Sequence, residues 1–416
     1  MVPIAPIPRS LSLPLLAAIL ALGLAIPGHG AVARHARAIA AAPAGTPAPA
    51  FGPGIGPDGM PTFETNAREA IVVDYNTGAT LLEKDADQPM PTASLSKVMT
   101  AYVVFQYLRE GRAKLTDMLA VSKEAWKTGG SKMFVPYPGS VSIDDLIHGM
   151  LIQSGNDACV VLAQGLAGST AAFVDQMNAE AKKLGLAHSH FADVDGLPDA
   201  GHFMSARDLV TLGDHFIRDF PQFYPIVSEK EFTFNGIKQG NRNPLLYKDL
   251  GVDGIKTGHT EEAGYGLLVS AKRNGRRITV LVAGLDSVNQ RSREGANLLN
   301  WAYRSFEDVA VTKAGQAIDE APVWYGVQPA VPVSTAKDIE ITLPRGERRK
   351  LKMTAIYDGA IKAPVAKGQV AGKLEIALPN GKTEEVPLIA LAAVQRLGPA
   401  GRIAEGLAHY LWEKHP

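Results

Sequence analysis

Cysteine is nearly missing: Cys159 is the single one in 416 residues. An intrachain disulfide and a cysteine-based zinc cage are therefore excluded. The ten histidines are scattered, with no His-x-x-x-His or His-Glu-x-x-His spacing. No metal site and no cofactor is expected from such a pattern. Net charge is also missing, because 42 Lys and Arg balance 42 Asp and Glu. A nucleic-acid partner, which needs a cationic surface to displace counterions, is not expected. The N-terminal apolar run, residues 11–26, is about 16 residues long. That is short of the roughly 20 residues that cross a bilayer as a helix.

What remains is an ordinary globular composition, 46% hydrophobic and 20% charged. The length suggests two to three domains. Arg9 is the only charged residue among the first 33, and it precedes the apolar run. Pro14 and Pro27 interrupt and bound that run, and Ala31-Val32-Ala33 supplies small residues after it. The pattern predicts a signal peptide over 1–33, cleaved after Ala33, and hence an exported protein. Residues 34–62 are rich in Ala, Pro and Gly and read as a linker. Gly54, Gly56 and Gly59 do not make a phosphate loop, since no strand precedes them and no helix follows.

Residues 69–84 predict a hairpin around Asn76-Thr77-Gly78. Apolar spacing predicts a helix over 94–110 and two helical pieces from Ser142 to about Leu166. Ser142 with Asp145, and Ser205 with Asp208, are capping signatures. Strands are expected at 252–257, 265–271 and 277–285, the last two joined at Asn274-Gly275, and a helix follows over 290–306. Strands first, helices in the middle and antiparallel strands late predict a mixed α+β fold: one antiparallel sheet with a helical insertion. Beyond about residue 313, short alternating runs separated by turn residues predict a small all-β domain to residue 396. A catalytic domain is thus expected over 63–312 and an amphipathic tail over 397–416.

Three short motifs occur in order: Ser94-Leu95-Ser96-Lys97, Ser154-Gly155-Asn156 and Lys256-Thr257-Gly258-His259. Each is weak alone. The same chain repeats Ser-x-x-Lys at Ser334 to Lys337, Ser-x-Asn at Ser287 to Asn289 and Lys-Thr-Gly at Lys127 to Gly129. Context separates the sets. Ser94 opens a helical pattern, so Lys97 falls on its face one turn later. A serine hydroxyl needs an adjacent base, and a lysine serves only if burial and a second cation such as Lys256 lower its pKa. Ser334 to Lys337 runs into a strand pattern, where i and i+3 point to opposite faces. Lys256-Thr257-Gly258 lies on a strand, where Gly258 lets a substrate backbone approach and Lys256 and Thr257 can hold a carboxylate. The backbone amides of Ser94 and His259 are candidate oxyanion donors.

The stretches PTASLSKVMTAYVV, SKMFV, LIQSGNDA, GLPDAGHFMSARDL and VDGIKTGHTEEAGYGLLVSA resemble serine-type D-Ala-D-Ala carboxypeptidases. These are low-molecular-mass penicillin-binding proteins of the β-lactamase/transpeptidase-like superfamily. The β-rich C-terminal stretches match as well. The resemblance implies that Ser94 is the nucleophile that forms an acyl-enzyme and Lys97 its proton acceptor. Ser154 and Asn156 complete the catalytic network. Lys256, Thr257, Gly258, His259 and Arg293 bind substrate, with Arg291 the competitor for the carboxylate-binding arginine. It implies peptidoglycan D-Ala-D-Ala peptides as substrates, β-lactam antibiotics as inhibitors, and a periplasmic location. It also implies a membrane-surface role for the C-terminal tail, where Ile403, Leu407, Tyr410 and Leu411 share a face. A helix docked on its own domain fits that tail equally.

Neighbouring residues have plainer readings. Ser96 reads as packing, Cys159 as a buried thiol, and His148 as a packed histidine. Asp157 reads as a helix-start charge. For His259 the backbone amide matters more than the ring. Two rivals stay in view. A β-lactamase of the same fold would need a Glu-x-x-Leu-Asn loop, and none lies between Ser154 and Lys256. A non-catalytic wall-binding protein would not need the complete set Ser94, Lys97, Ser154, Asn156 and Lys256.

Overall fold

A computed structural model of the protein describes residues 52–413, residue 58 excepted. The expected signal peptide and the linker up to residue 51 lie outside the described residues.

The end of the expected linker is not featureless. Gly52–Ile55 pairs antiparallel with Pro61–Glu64. The composition gives this hairpin no core of its own, and Phe63 instead packs on Trp301, ring centroids 6.0 Å apart.

The central sheet has five strands, in the order Thr80–Lys84, Glu69–Asp74, Arg276–Leu285, Gly264–Arg273, Val252–Thr260. Every pairing is antiparallel. Side chains alternate along each strand. Ile71, Val73, Leu268 and Leu281 enter one core, and Ala70, Val72, Leu267 and Val280 enter the other. The helix Val288–Ser305 covers the second face, through Leu298, Leu299 and Ala302. The helices Lys97–Arg109 and Ala206–Asp219 cover the first. With both faces buried, these strands read as nearly continuous apolar runs rather than alternating ones.

The helical insertion runs between the strands Thr80–Lys84 and Val252–Thr260. The Ser142 hydroxyl accepts from the Asp145 amide at 3.1 Å, and Ser205 accepts from Asp208 at 3.1 Å, so both expected caps form. The helix expected from residue 94 is a 3-10 turn over Ala93–Ser96 that leads into the α-helix Lys97–Arg109. Ser287, the decoy serine, caps the helix Val288–Ser305.

A third core lies in the C-terminal β domain, around Val331, Val333, Leu374, Ile376 and Leu388. Six strands form its main sheet. Its first strand, Phe306–Thr312, pairs with Ile339–Pro344, so the β-rich part begins before the boundary expected near 313. Alternation in FEDVAVT is partial, which hid that strand. Between the domains Arg276 bridges Asp74 at 2.7 Å and Asp308 at 2.9 Å. The tail forms a helix over Pro399–Glu413. No single helix among the described residues is long and apolar enough to cross a membrane.

Candidate active site

Ser94 sits half-buried in the 3-10 turn, and Lys97 opens the following helix with no exposed surface. Lys97 Nζ donates to Ser94 Oγ at 2.7 Å and also to the backbone carbonyl of Asp195. Burial holds the Lys97 amine below the ordinary lysine range. The Asp195 and Asp193 carboxylates oppose this and the Arg242 guanidinium adds to it. Burial, as expected, is the main cause, and the cation that adds to it is Arg242 rather than the expected Lys256. In return, Lys256 is pushed well below its usual value, first by burial and then by the Lys97 charge.

Ser154 adopts φ +63, a left-handed backbone that few non-glycine residues take. Its neighbours pin it: Gly155 N–H bonds to Gly149 O at 2.9 Å and Asn156 N–H to Ser131 O at 2.7 Å. Lys256 Nζ donates to Ser154 Oγ at 2.9 Å. Asn156 Nδ2 donates to Gly129 O at 2.9 Å, which leaves its buried Oδ1 without a donor among the described residues. Two Ser–Lys pairs from distant segments thus meet.

They open on a cleft of about 420 Å³ lined by Ser94, Ser154, Thr257, Gly258, His259 and Arg291, with Ser131, Arg242, Tyr265 and Val288 around them. One wall is the strand Val252–Thr260, an edge strand whose face packs against the Ser94 turn. Gly258 also has a use within the fold. A Cβ there would stand 2.8 Å from Thr92 O and 3.2 Å from Leu95 N. Its missing side chain lets the strand lie against the nucleophile turn. His259 is exposed, with its ring stacked on Tyr265 at 3.8 Å between centroids.

The arginine assignment is corrected. Arg293 points away: its side chain is 62% exposed and, among the described residues, pairs only with Glu294, at 3.9 Å. Arg291 is the one in the cleft. Its Nη1 donates to Gly258 O at 3.3 Å and its guanidinium lies 5.6 Å from the Tyr265 ring centre. Burial lowers its pKa to about 10. Two residues along a helix turn the side chain by roughly 200°, so only one of the pair can face the sheet edge.

Comparison with known proteins places the chain in a family. The family model described as D-alanyl-D-alanine carboxypeptidase matches residues 58–287. The model described as penicillin-binding protein 5, C-terminal domain, matches residues 306–396. The chain belongs to the D-alanyl-D-alanine carboxypeptidase family. It is 41% identical over 355 residues to D-alanyl-D-alanine carboxypeptidase DacA of Escherichia coli, covering 83% of this chain and 88% of that protein. Penicillin-binding protein 5 from Haemophilus influenzae superposes with TM-score 0.75 at 39% identity, over 80% of this chain and 99% of that one. Penicillin-binding protein D2 from Listeria monocytogenes, solved in its ampicillin-bound form, superposes with TM-score 0.54 at 30% identity, over 59% of this chain and all of that one.

Several residues of this carboxypeptidase escaped the sequence reading. Ser131 and Arg242 line the cleft and bond to each other. Ser131 stood in the SKMFV stretch, but Arg242 lies in a loop with no pattern around it. Asp157 does more than start a helix. Its carboxylate accepts from the Met133, Phe134 and Val135 amides at 2.9, 2.9 and 3.1 Å, fixing the loop that carries Ser131. Asp193 organises the carbonyl that receives Lys97. It accepts from the Asp195 and Gly196 amides at 2.8 and 2.5 Å and pairs with His202 at 3.1 Å. Burial alone would raise Asp193, yet His202 and these amides hold it below the carboxylate range.

The decoys fall elsewhere. Ser334 is buried in the β domain, where its hydroxyl donates to Gln316 O at 2.7 Å. Lys127 ends a short helix, although Gly129 beside it supplies the carbonyl that orients Asn156. Cys159 is fully buried, and burial raises its thiol far from reactivity. His148 stacks on Phe232 and bonds Asp144 O at 2.8 Å.

Proposed function

We propose that this carboxypeptidase removes the terminal D-Ala from peptidoglycan stem peptides through an acyl-enzyme on Ser94. The carrying observation is the Ser94–Lys97 pair at 2.7 Å with the lysine fully buried. A neutral Lys97 amine takes the Ser94 proton as Oγ attacks the carbonyl of the penultimate D-Ala. The Ser94 and His259 amides receive the developing oxyanion. The substrate lies along the outer side of the edge strand Val252–Thr260, in the manner of an added strand. Asn156 Oδ1, which has no donor of its own, accepts the substrate amide N–H. Arg291 and Thr257 hold the terminal carboxylate. The departing D-Ala amine takes the proton that Lys97 received, relayed through Ser154, which Lys256 bonds. Water then hydrolyses the ester, with Lys97 as base.

A penicillin carries the same carboxylate and a strained amide, so it acylates Ser94 and leaves slowly. Mass spectrometry of the penicillin adduct tests the assignment. The expected result is one penicillin per chain on the peptide containing Ser94, with labelling and D-Ala release both absent in Ser94→Ala. A Ser94→Ala chain that still releases D-Ala overturns it. Fast penicillin turnover with slow D-Ala release would favour the β-lactamase reading instead.

We place the mature protein outside the cytoplasm, in the periplasm, after cleavage at Ala33. The tail helix turns Gly406 toward Tyr325 while Ile403 and Leu407 stand 66% and 58% exposed. This outward apolar strip suits a membrane surface. Flotation with anionic vesicles tests it. Ile403→Ser with Leu407→Ser should release the protein, and equal flotation rejects the idea.

A further inference from the structure

Arg293 leaves the catalytic cleft for a larger one. A cavity of about 690 Å³ lies between the Gly52–Glu64 hairpin and the outer side of the helix Val288–Ser305. This is an ordinary size for a ligand site. Phe63 and Trp301 form its apolar floor, and Asn66, Asn297, Arg293 and Arg304 bring polar groups to it. Trp301 is 4% exposed, and its indole N–H has no acceptor among the described residues. That N–H is enclosed by protein, so what Trp301 offers the cavity is its ring. Arg304 forms no ion pair among the described residues. The two carboxylates at the site differ in availability. Glu294 already accepts from the Thr65 hydroxyl at 2.8 Å and the Asn66 amide at 3.1 Å, while Glu64 is exposed. The open bonding capacity is therefore carried by the Arg304 guanidinium and the Asn297 amide, beside an aromatic floor.

The geometry points to a second subsite for the cell-wall polymer, taking a carboxylate-bearing amino-sugar or peptide segment of a neighbouring repeat. Carboxylate oxygens suit Arg304, amide groups suit Asn297, and a sugar or aliphatic face suits the rings of Phe63 and Trp301. The same helix carries Arg291 into the catalytic cleft. At ~1.5 Å per residue, Asn297 and Arg304 lie about 9 Å and about 20 Å farther along its axis. An extended five-residue stem reaches roughly 17 Å. A polymer with one stem in the cleft therefore has a neighbouring repeat within range, and a second weak contact raises apparent affinity without altering the chemistry. This inference rests on peptidoglycan being the substrate.

The test compares the wild-type chain with Asn297→Ala combined with Arg304→Ala, two solvent-side changes away from the catalytic groups. The first readout is binding of a disaccharide–tetrapeptide fragment, which lacks a D-Ala-D-Ala end, followed by tryptophan fluorescence. The second is KM and kcat on a short D-Ala-D-Ala peptide and on polymeric peptidoglycan. The expected result is fragment binding weakened about tenfold and polymer KM raised about tenfold, with kcat and short-peptide KM unchanged. Equal fragment binding in both chains, or equal polymer KM, overturns the subsite. Fragment binding needs no turnover, so a wild type that bound the fragment but released no D-Ala from the short peptide would refute the catalytic reading alone.

Discussion

At the scale of single residues, the site depends on keeping an amine uncharged. Burial disfavours the Lys97 ammonium, so the neutral form is reached at lower pH than lysine's ordinary 10.5. Acylation by penicillin should accordingly rise with pH and level off below that value, as stopped-flow kinetics would show. A Lys97→Arg chain, whose guanidinium stays charged, should lose acylation at least a thousandfold at every pH. A second prediction separates two arginines. Arg291→Ala should raise KM for a short D-Ala-D-Ala peptide roughly 10- to 100-fold, by removing a buried carboxylate partner. Arg293→Ala should leave that KM within about twofold. The reverse order would return the assignment to Arg293. Ser94, Lys97, Ser154, Asn156 and Lys256 were all legible from motif spacing, and Arg291 was legible only as one of two. Sequence spacing says that a helix carries an arginine; which face meets the sheet edge is set by packing.

Elements position these residues through close approaches that only glycine permits. Gly196 has φ +79, and a Cβ there would lie 2.0 Å from Ala93 O. Its loop could not then touch the nucleophile turn and deliver the Asp195 carbonyl to Lys97. Gly196→Ala should destabilise the protein by about 3 kcal/mol or more, seen as a lower denaturant midpoint, because strain and overpacking act together. Gly258→Ala meets Thr92 O at 2.8 Å without a left-handed backbone to strain. It should cost less stability, about 1–3 kcal/mol, but push the edge strand off the Ser94 turn. A fall in kcat larger than any change in melting temperature is the expected signature. The caps at Ser142 and Ser205 were readable because they are local. The helix Thr170–Lys183 passed unnoticed, since most of its apolar residues are alanines that mark no face: only Phe173, Met177 and Ala181 among its apolar side chains are buried.

At the scale of the whole molecule, a buried charge cluster joins the two domains. Asp74 has no exposed surface, and burial pushes its carboxyl from 3.8 to about 6 despite Arg276. Arg276 also holds Asp308 and donates to Phe306 O at 2.7 Å. Arg276→Ala would leave two buried carboxylates facing each other and should cost about 3–5 kcal/mol near pH 7.5. The sign of the pH effect follows from the raised pKa. The folded state binds the Asp74 proton more tightly than the unfolded chain, so stability falls as pH rises through 3.8 to about 6. Without Arg276 the carboxyl moves higher still. The melting-temperature deficit of the variant should therefore shrink at pH 5 relative to pH 7.5, and a pH-independent deficit would refute this account.

The sequence by itself determined the three motifs, the mixed fold with its inserted helices, and the β-rich second domain. Each rests on short-range periodicity or spacing, which a linear string preserves. Tertiary structure alone decided which arginine enters the cleft, and that Gly129, Ser131, Asp193 and Arg242 serve it. It also turned the end of an apparent linker into a wall of a second cavity. These outcomes depend on which surfaces meet when separated segments bury their apolar faces together, and a chain's local pattern holds no record of its distant neighbours.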